Sequence, residues 1–242
     1  MSEKQSPRVV WITGASSGIG KALAEVFLAK GDIVVASSRS LAKLKVQRRI
    51  FYHPAAPLEV FRCDVKRETD IKRVARLILK RHKKIDIVIN NAGVTAFKEL
   101  VQTSTSEFDD IVATNLRSLF LTSRAVLPAM LKRRSGTILN ILSYAAKTTY
   151  TKSAAYSAAK SGAEALMNVL RAEVRHKGIK VINVYPGAVL TPIWSSGNRK
   201  RYAASMMPPL EIASLVYQLT RQPNSLHVEE IVVRPPQGDL QV

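Results

Sequence analysis

The sequence has little cysteine, no long apolar run and few acidic residues. Cys63 is the only cysteine among 242 residues, which excludes an internal disulfide and a cluster of cysteine metal ligands. No segment approaches the ~18 apolar residues of a membrane-spanning helix, and the polar start MSEKQSP carries no apolar signal region. We therefore expect a soluble cytoplasmic protein without a membrane span, and we assign no metal ligand.

The shortage of acidic residues makes the chain strongly basic. It has 18 Asp and Glu against 37 Lys and Arg, a formal net charge of +19. Such a charge favours anionic partners, nucleic acid among them. The basic residues are scattered, however, and lack the interleaved aromatic residues of a base-stacking surface. We expect no specific nucleic-acid site, and any nonspecific binding should weaken steeply with salt.

Short apolar runs alternate with longer amphipathic ones, which is the pattern of βαβ units around a parallel sheet. The predicted strands are residues 9–13, 33–37, 58–62, 85–89, 137–142, 180–185 and 230–233. The predicted helices are residues 18–30, 41–47, 67–81, 106–131 (interrupted late by Pro128), 154–176 and 210–220. We expect an α/β chain with one domain over residues 1–242, built as a doubly wound parallel sheet of about seven strands (a Rossmann fold).

A glycine-rich turn, TGASSGIG at residues 13–20, follows the first predicted strand. Gly14, Gly18 and Gly20 stand where a side chain would obstruct the approach of a pyrophosphate to backbone amides and to the helix N-terminus. The GxxxGxG spacing differs from the common GxGxxG fingerprint, and a tightly packed turn is the alternative. Its place directly after the first strand favours a dinucleotide site.

The second predicted strand ends in ASSRS, without a carboxylate. In NAD sites an acidic residue near this strand end binds the ribose hydroxyls. Ser38 and Arg39 would instead suit a 2'-phosphate, because an arginine offers a charge-assisted fork worth roughly 1.5–3 kcal/mol. The sequence therefore favours NADP(H), although Arg39 could also be an ordinary surface arginine.

Tyr156 and Lys160 lie four residues apart in the alanine-rich segment AAYSAAKSGAEAL and therefore share one helix face. A nearby ammonium group favours a phenolate and would lower the phenol pKa from about 10 towards neutrality. Tyr156 could then act as a general acid and base. Alone, such a pair is often only a solvated helix face.

Several motifs occur together and in a characteristic order: TGASSGIG, NNAG at 90–93, and YSAAK at 156–160 with Ser143 thirteen positions before Tyr156. With Asn115 and PGAVLT at 186–191, the chain resembles the single-domain short-chain dehydrogenase/reductase family from about residue 8 to residue 233. The resemblance implies an oxidoreductase that transfers hydride between NADP(H) and a carbonyl or alcohol. Tyr144, where a small residue is frequent, and HPAAP at 53–57 depart from the family pattern.

The resemblance also implies roles for single residues. Tyr156 would exchange a proton with the substrate oxygen, and Lys160 would lower its pKa and hold the nicotinamide ribose. Ser143 would hydrogen-bond the substrate oxygen, and Asn115 would hold a water that links Lys160 to solvent. Besides Tyr156 and Lys160, the implied cofactor contacts are Gly14, Ser16, Ser17, Gly18, Ile19, Gly20, Ser38, Arg39, Asp64, Val65, Asn91, Ala92, Gly93, Pro186, Gly187, Val189 and Thr191.

Structural alternatives stand beside these roles. Ser143 could only form a strand-end turn, Asn115 could only bend a helix, and Asp64 could only cap one. Residues 191–208 would form a short lid whose apolar residues Trp194, Met206 and Met207 either close over substrate or pack on the protein.

Three classes of function compete: an NADPH-dependent carbonyl reductase, which includes a 3-oxoacyl-[acyl-carrier-protein] reductase, a protein that senses NADP(H), and nucleic-acid binding. A carbonyl reductase for small ketones, sugars or steroids leads. A 3-oxoacyl-[acyl-carrier-protein] reductase would use Arg134 and Lys177 to bind its acidic carrier. A protein that senses NADP(H) without turnover would have no need of Ser143, Tyr156 and Lys160. The resemblance further implies a homodimer or homotetramer formed through the helices around Asn115 and Tyr156.

Overall fold

Seven strands form one parallel sheet in the computed structural model, which describes residues 7–51 and 57–240. The strands are β1 (Val9–Thr13), β2 (Ile33–Ser38), β3 (Leu58–Arg62), β4 (Ile87–Asn90), β5 (Gly136–Ile141), β6 (Ile179–Pro186) and β7 (Glu230–Val233). Their order is β3-β2-β1-β4-β5-β6-β7, and each neighbouring pair is parallel. The predicted α/β doubly wound sheet is confirmed.

The helices connect these strands and cover the sheet. They are α1 (Gly18–Ala29), α2 (Leu41–Ile50), α3 (Glu68–His82), α4 (Thr105–Val112), α5 (Ser118–Arg133), α6 (Ala154–Val174), α7 (Ser196–Tyr202) and α8 (Pro209–Leu219). Helix α2 runs three residues further than the sequence predicts, and α7 lies in a segment for which no helix was expected. The predicted irregularity at 53–57 falls, except for Pro57, outside the described residues.

Alternate side chains of β1 pack against the helices on opposite faces of the sheet. Val10 and Ile12 pack with Phe27 of α1 and with residues of α8, whereas Val9 and Trp11 pack with residues of α3, α5 and α6. Because both faces are covered by helices, the central strands are apolar throughout, as is usual for parallel sheets. None of the helices within these described ranges is long and apolar enough to cross a membrane.

A ladder of buried asparagines crosses three neighbouring strands. Asn90 donates from Nδ2 to Oδ1 of Asn140 (2.9 Å), Asn140 donates in the same way to Asn183 (2.9 Å), and Asn183 donates to Asn168 of α6 (3.2 Å). The first three residues are also register partners in the sheet. Because an unpaired buried amide is costly, the ladder favours this one register of β4, β5 and β6.

The long helix predicted over 106–131 is divided, but not at Pro128. Helix α4 passes through a π-helical turn, Ala113–Arg117, into α5, and α5 continues past Pro128. The predicted interruption at Pro128 is wrong because the buried neighbours of this proline, Val126 and Met130, anchor the helix on the core. The irregularity instead surrounds Asn115, whose Nδ2 donates to the carbonyls of Ile111 (3.0 Å) and Val94 (2.8 Å).

The strand order also fixes where a ligand can bind. Since β1 lies between β2 and β4, the chain winds away from β1 in both directions, and a crevice opens beyond the carboxyl ends of β1 and β4. The glycine-rich turn follows β1, and the NNAG segment begins at the last residue of β4 and continues beyond it.

Candidate active site

The glycine-rich turn and the segment after β4 form one wall of the crevice. Gly14 has a φ of +66°, and a Cβ at this position would lie 2.7 Å from Cα of Ala92, so glycine is required here. Oγ1 of Thr13 accepts hydrogen bonds from the amides of Asn91 (3.0 Å) and Ala92 (3.2 Å). Asn91 returns a bond from Nδ2 to the Thr13 carbonyl (2.9 Å). Thr13 was not among the predicted site residues; its place in TGASSGIG was the only signal.

Helix α1 points its first turn at this crevice. Its N-cap, Ser17, is exposed, and the Ser17 side chain makes no capping hydrogen bond to a described residue. Ser16 and Ile19 beside it are half-buried. Gly18 lies against Thr191, which brings the PGAVLT segment after β6 next to the turn. The free amides of such a helix end are suited to an anion.

Ser143, Tyr156 and Lys160 meet at the carboxyl end of β5. The hydroxyls of Ser143 and Tyr156 are hydrogen-bonded to each other, and Ser143 Oγ also accepts from the amide of Ala145 (3.1 Å). Lys160 is only 4% exposed, and its Nζ donates to the Ile141 carbonyl (3.0 Å) and lies 5.7 Å from the centre of the Tyr156 ring. The three predicted residues are therefore in one cluster.

Gly93 connects this cluster to the wall after β4. A Cβ at Gly93 would lie 2.9 Å from Oδ1 of Asn115 and 3.8 Å from Nζ of Lys160, so a side chain would displace one of them. Asn115 is fully buried and held at both ends, because its Oδ1 also accepts from the amide of Val94 (3.3 Å). Asn115 both shapes the π-helical turn and lies beside Lys160.

Burial controls the proton affinities in the cluster. It lowers the pKa of Lys160 from 10.5 to about 8. It also raises the pKa of Tyr156, and the hydrogen bond with Ser143 offsets part of this rise. The prediction that Lys160 lowers the pKa of Tyr156 is therefore wrong for this structure. The desolvation of the phenolate dominates, and the Lys160 ammonium donates to a carbonyl of β5.

The low pKa of Lys160 predicts a pH-dependent stability. Between about pH 8 and pH 10.5 the unfolded chain keeps a proton on Lys160 that the folded chain has lost, so the stability contributed by this residue rises with pH. We expect the free energy of unfolding of the wild type, relative to Lys160→Met, to increase by about 2 kcal/mol between about pH 8 and pH 10. Urea unfolding of both proteins across this range tests it; a constant difference would contradict the assignment.

A basic cavity of about 340 Å³ lies beyond the ends of β2 and β3. It is lined by Arg39, Arg62, Asp64, Arg67, Asp70 and Arg73. Arg39 is exposed and has no ion-pair partner within residues 7–51 and 57–240. With four arginines against two aspartates, the cavity is suited to an anion.

The neighbours of this cavity are held by local hydrogen bonds. Oδ1 of Asp64 accepts from the amide of Lys66 (3.0 Å), and the Asp64 amide donates to Asp70 (2.9 Å). Asp64 thus fixes the turn before α3, and the N-cap of α3 is Arg67. Val65 is buried, and the Ser38 hydroxyl donates to the Ser40 carbonyl (3.1 Å).

The segment after β6 runs along the opposite side of the crevice. Val189 pairs with Met207, and both Met206 and Met207 are buried against the protein. Trp194 instead stacks on Phe97 of the loop after β4, with ring centres 5.3 Å apart and planes inclined by 13°. The segment is therefore joined to the β4 side by an aromatic pair, and no sequence motif indicates that Phe97 takes part.

Arg134 and Lys177 lie near the amino ends of the strands, on the side of the sheet opposite to the crevice. Arg134 ends α5 and donates from Nη2 to the His176 carbonyl (3.4 Å), and the two residues precede the amino ends of β5 and β6. Within one chain they are therefore remote from the crevice.

Comparison with known proteins agrees with this architecture. The family model described as short chain dehydrogenase matches residues 8–201. A sepiapterin reductase of Chlorobaculum tepidum is 33% identical over 240 residues, which cover 96% of this chain and 98% of that protein.

Two solved structures extend the likeness to the fold. A metagenomic short-chain oxidoreductase in complex with NADP is 32% identical, with a TM-score of 0.83 over 94% of this chain and 96% of that one. An actinorhodin polyketide ketoreductase variant with NADPH is 27% identical, with a TM-score of 0.88 over 99% of this chain and 100% of that one. The chain therefore belongs to the short-chain dehydrogenase/reductase family of oxidoreductases.

Proposed function

We propose that this protein is an NADPH-dependent oxidoreductase that transfers hydride between the nicotinamide and a carbonyl or alcohol substrate. The observation that carries the proposal is the cluster itself: two hydrogen-bonded hydroxyls, Ser143 and Tyr156, with the buried Lys160 behind them and the glycine-rich crevice beside them. The NADP and NADPH complexes of two similar structures support this cofactor.

The residues of the crevice fit such a cofactor. Gly14 lets the turn pack closely against Ala92, and the amides at the start of α1 beside it would hold the pyrophosphate. Arg39 and the basic cavity would take the 2'-phosphate, and Asp64 and Val65 would contact adenine. The remaining contacts are assigned to Ser16, Ser17, Gly18, Ile19, Gly20, Ser38, Asn91, Ala92, Gly93, Pro186, Gly187, Val189 and Thr191. When bound, the cofactor supplies or accepts the hydride.

The protein's own groups handle the substrate oxygen and its proton. Ser143 and Tyr156 would donate to one carbonyl oxygen and stabilise the charge that develops there. The Tyr156 phenol, whose pKa burial raises, is protonated at neutral pH and would be the group that donates a proton to the carbonyl oxygen during reduction. With a pKa of about 8, Lys160 is mostly charged at neutral pH. Asn115 would hold the water through which Lys160 exchanges protons with solvent.

Residues 191–208 would form the lid, and the stacked rings of Phe97 and Trp194 would hold it against the loop after β4. Aromatic side chains at this point favour substrates with flat apolar parts. The sepiapterin reductase relative makes a heterocyclic ketone the first compound to test.

The alternatives have weaker support. An acyl-carrier-protein reductase would need a basic docking surface near its site, but Arg134 and Lys177 lie near the amino ends of β5 and β6, away from the crevice. A sensor has no need of the complete cluster of Ser143, Tyr156 and Lys160. We also propose a homodimer or homotetramer through α4, α5 and α6, because these helices expose large apolar side chains. These side chains are Phe108, Phe120 and Val169.

The function is tested by mixing the purified chain and NADPH with sepiapterin, a vicinal diketone and a 3-oxoacyl thioester, and following the loss of NADPH absorbance. We expect turnover of at least one of the two ketones. NADPH binding with no oxidation on any of the three compounds would contradict the enzymatic proposal and favour sensing. Turnover of the thioester alone would favour the carrier-protein alternative.

A further inference from the structure

The segment that follows β7 folds back on itself. We call residues 234–239 the C-terminal strap. The amide of Gly238, which has a φ of +83°, donates to the Pro235 carbonyl (2.9 Å), and this turn returns Asp239 to Arg234. Nη2 of Arg234 lies 2.9 Å from Oδ2 of Asp239. The position of the Arg234 guanidinium is therefore fixed from within the strap.

The strap contacts the loop after β5 at two places. The guanidinium of Arg234 lies over the ring of Tyr144, with Cζ 4.3 Å from the ring centre. The Tyr150 hydroxyl is hydrogen-bonded to the Asp239 carboxylate, and burial together with this bond raises the pKa of Tyr150. Because Tyr150 stays protonated, it remains a donor. The loop from Tyr144 to Tyr150 is thus held at both ends.

The beginning of this loop is built on Ser143. The amide of Ala145 donates to Ser143 Oγ (3.1 Å), and the amide of Ala146 donates to the Ser143 carbonyl (3.0 Å). The amide of Lys147 donates to the Tyr144 carbonyl (2.9 Å). The Ser143 hydroxyl is therefore tied to the backbone of the same loop that carries the Tyr144 ring.

The strap is also anchored beside the segment after β6. The Gly187 amide donates to the carbonyl of Val233, the last residue of β7 (2.8 Å), and a Cβ at Gly187 would lie 3.1 Å from Pro235. The strap therefore spans the two segments that follow β5 and β6. This position explains Tyr144, the residue that departs from the family pattern, because its ring is the surface on which Arg234 stacks.

We propose that Arg234 is a positioning residue that holds Tyr144, and through it the hydroxyl of Ser143, against the substrate oxygen. This inference rests on the proposed function. Arg234 is placed to act through its neighbours, because its Nη2 is paired with Asp239 and its Cζ lies over the ring of Tyr144.

Steady-state kinetics of four variants test the proposal. Arg234→Ala should lower kcat about tenfold, because small displacements of catalytic groups are costly, while the Kd for NADPH stays within about twofold. Tyr144→Leu should have a similar effect, and the double variant should lose little more because the two residues act as one unit. Tyr144→Phe keeps the ring and should stay within about twofold of wild-type kcat.

Matched measurements separate positioning from general damage. Arg221→Ala removes an exposed arginine at the end of α8 and should leave kcat unchanged. Hydrogen exchange should accelerate at the amides of Ala145 and Ala146 in Arg234→Ala but not at those of β4. If Arg234→Ala fails to fold, Asp239→Asn, which removes the partner charge, should show the same changes in weaker form.

Each outcome decides one claim. Unchanged kcat in Arg234→Ala, or unchanged exchange at Ala145 and Ala146, would overturn the inference. A raised substrate KM at unchanged kcat would make Arg234 a substrate ligand and would also overturn it. A wild type that reduces no test compound would defeat the proposed function, and hydrogen exchange would then still decide whether the strap holds the loop.

Discussion

Tyr156→Phe is expected to lower kcat for carbonyl reduction by about 10²- to 10⁴-fold, the usual range for loss of a general acid. The substitution removes one oxygen and leaves the ring, so α6 and its contacts should persist. The Kd for NADPH should stay within about twofold, because we assign most of the cofactor contacts to the glycine-rich turn and the basic cavity. The loss of NADPH absorbance gives kcat, and a fluorescence titration of NADPH gives Kd.

A distant tyrosine provides the control. Tyr217 of α8 packs edge-on against Phe27, with ring centres 5.2 Å apart, and belongs to the core layer on the α1 side. Tyr217→Phe should therefore leave kcat unchanged. Retained turnover in Tyr156→Phe would remove this residue from the reaction, whereas equal losses of turnover and NADPH binding would make its role structural.

The second large effect concerns the choice of cofactor. Arg39→Asp should weaken NADPH relative to NADH by about tenfold to hundredfold, because it replaces a charge-assisted fork by a carboxylate that repels a phosphate. Arg39 is exposed and has no ion-pair partner within the part of the chain that the structure describes, so the fold should tolerate the change. The ratio of the two Kd values is the measurement.

A matched charge reversal is needed because the whole chain carries a net charge of +19, which attracts any anion. Arg48 is exposed on α2, and Arg48→Asp changes the net charge by the same amount away from the basic cavity. This control should leave the NADPH to NADH ratio within about twofold of wild type, since long-range attraction is screened by salt. An equal shift in both variants would assign the preference to overall charge and contradict the role of Arg39.

Local patterns were sufficient to predict the sheet. Strands β1, β3 and β7 have the predicted bounds, because each is a short apolar or alternating run between turn signals. Strand β4 begins two residues later than predicted, at Ile87, although the Asp86 amide donates to the Val9 carbonyl (2.9 Å) and the Asp86 carboxylate accepts from the Val9 amide (2.8 Å). The motif order placed Ser143, Tyr156 and Lys160 together, and the structure has them so.

Features that depend on contacts between distant segments could not be predicted. The π-helical turn at Asn115 follows from hydrogen bonds with Val94, on another loop. The raised pKa of Tyr156 reflects burial by the whole fold, whereas the sequence suggested only the charge of Lys160. The contact of Arg234 with Tyr144 joins the end of the chain to its middle.

The most direct measurement of the central claim follows the hydride itself. Wild type and Tyr156→Phe are incubated with NADPH deuterated at the transferable position and with whichever ketone the wild type reduces fastest, and the alcohol is analysed by mass spectrometry. The account predicts that the wild type forms an alcohol with one deuterium and that Tyr156→Phe forms almost no such alcohol. An alcohol without deuterium, or equal labelled product from both proteins, would contradict it.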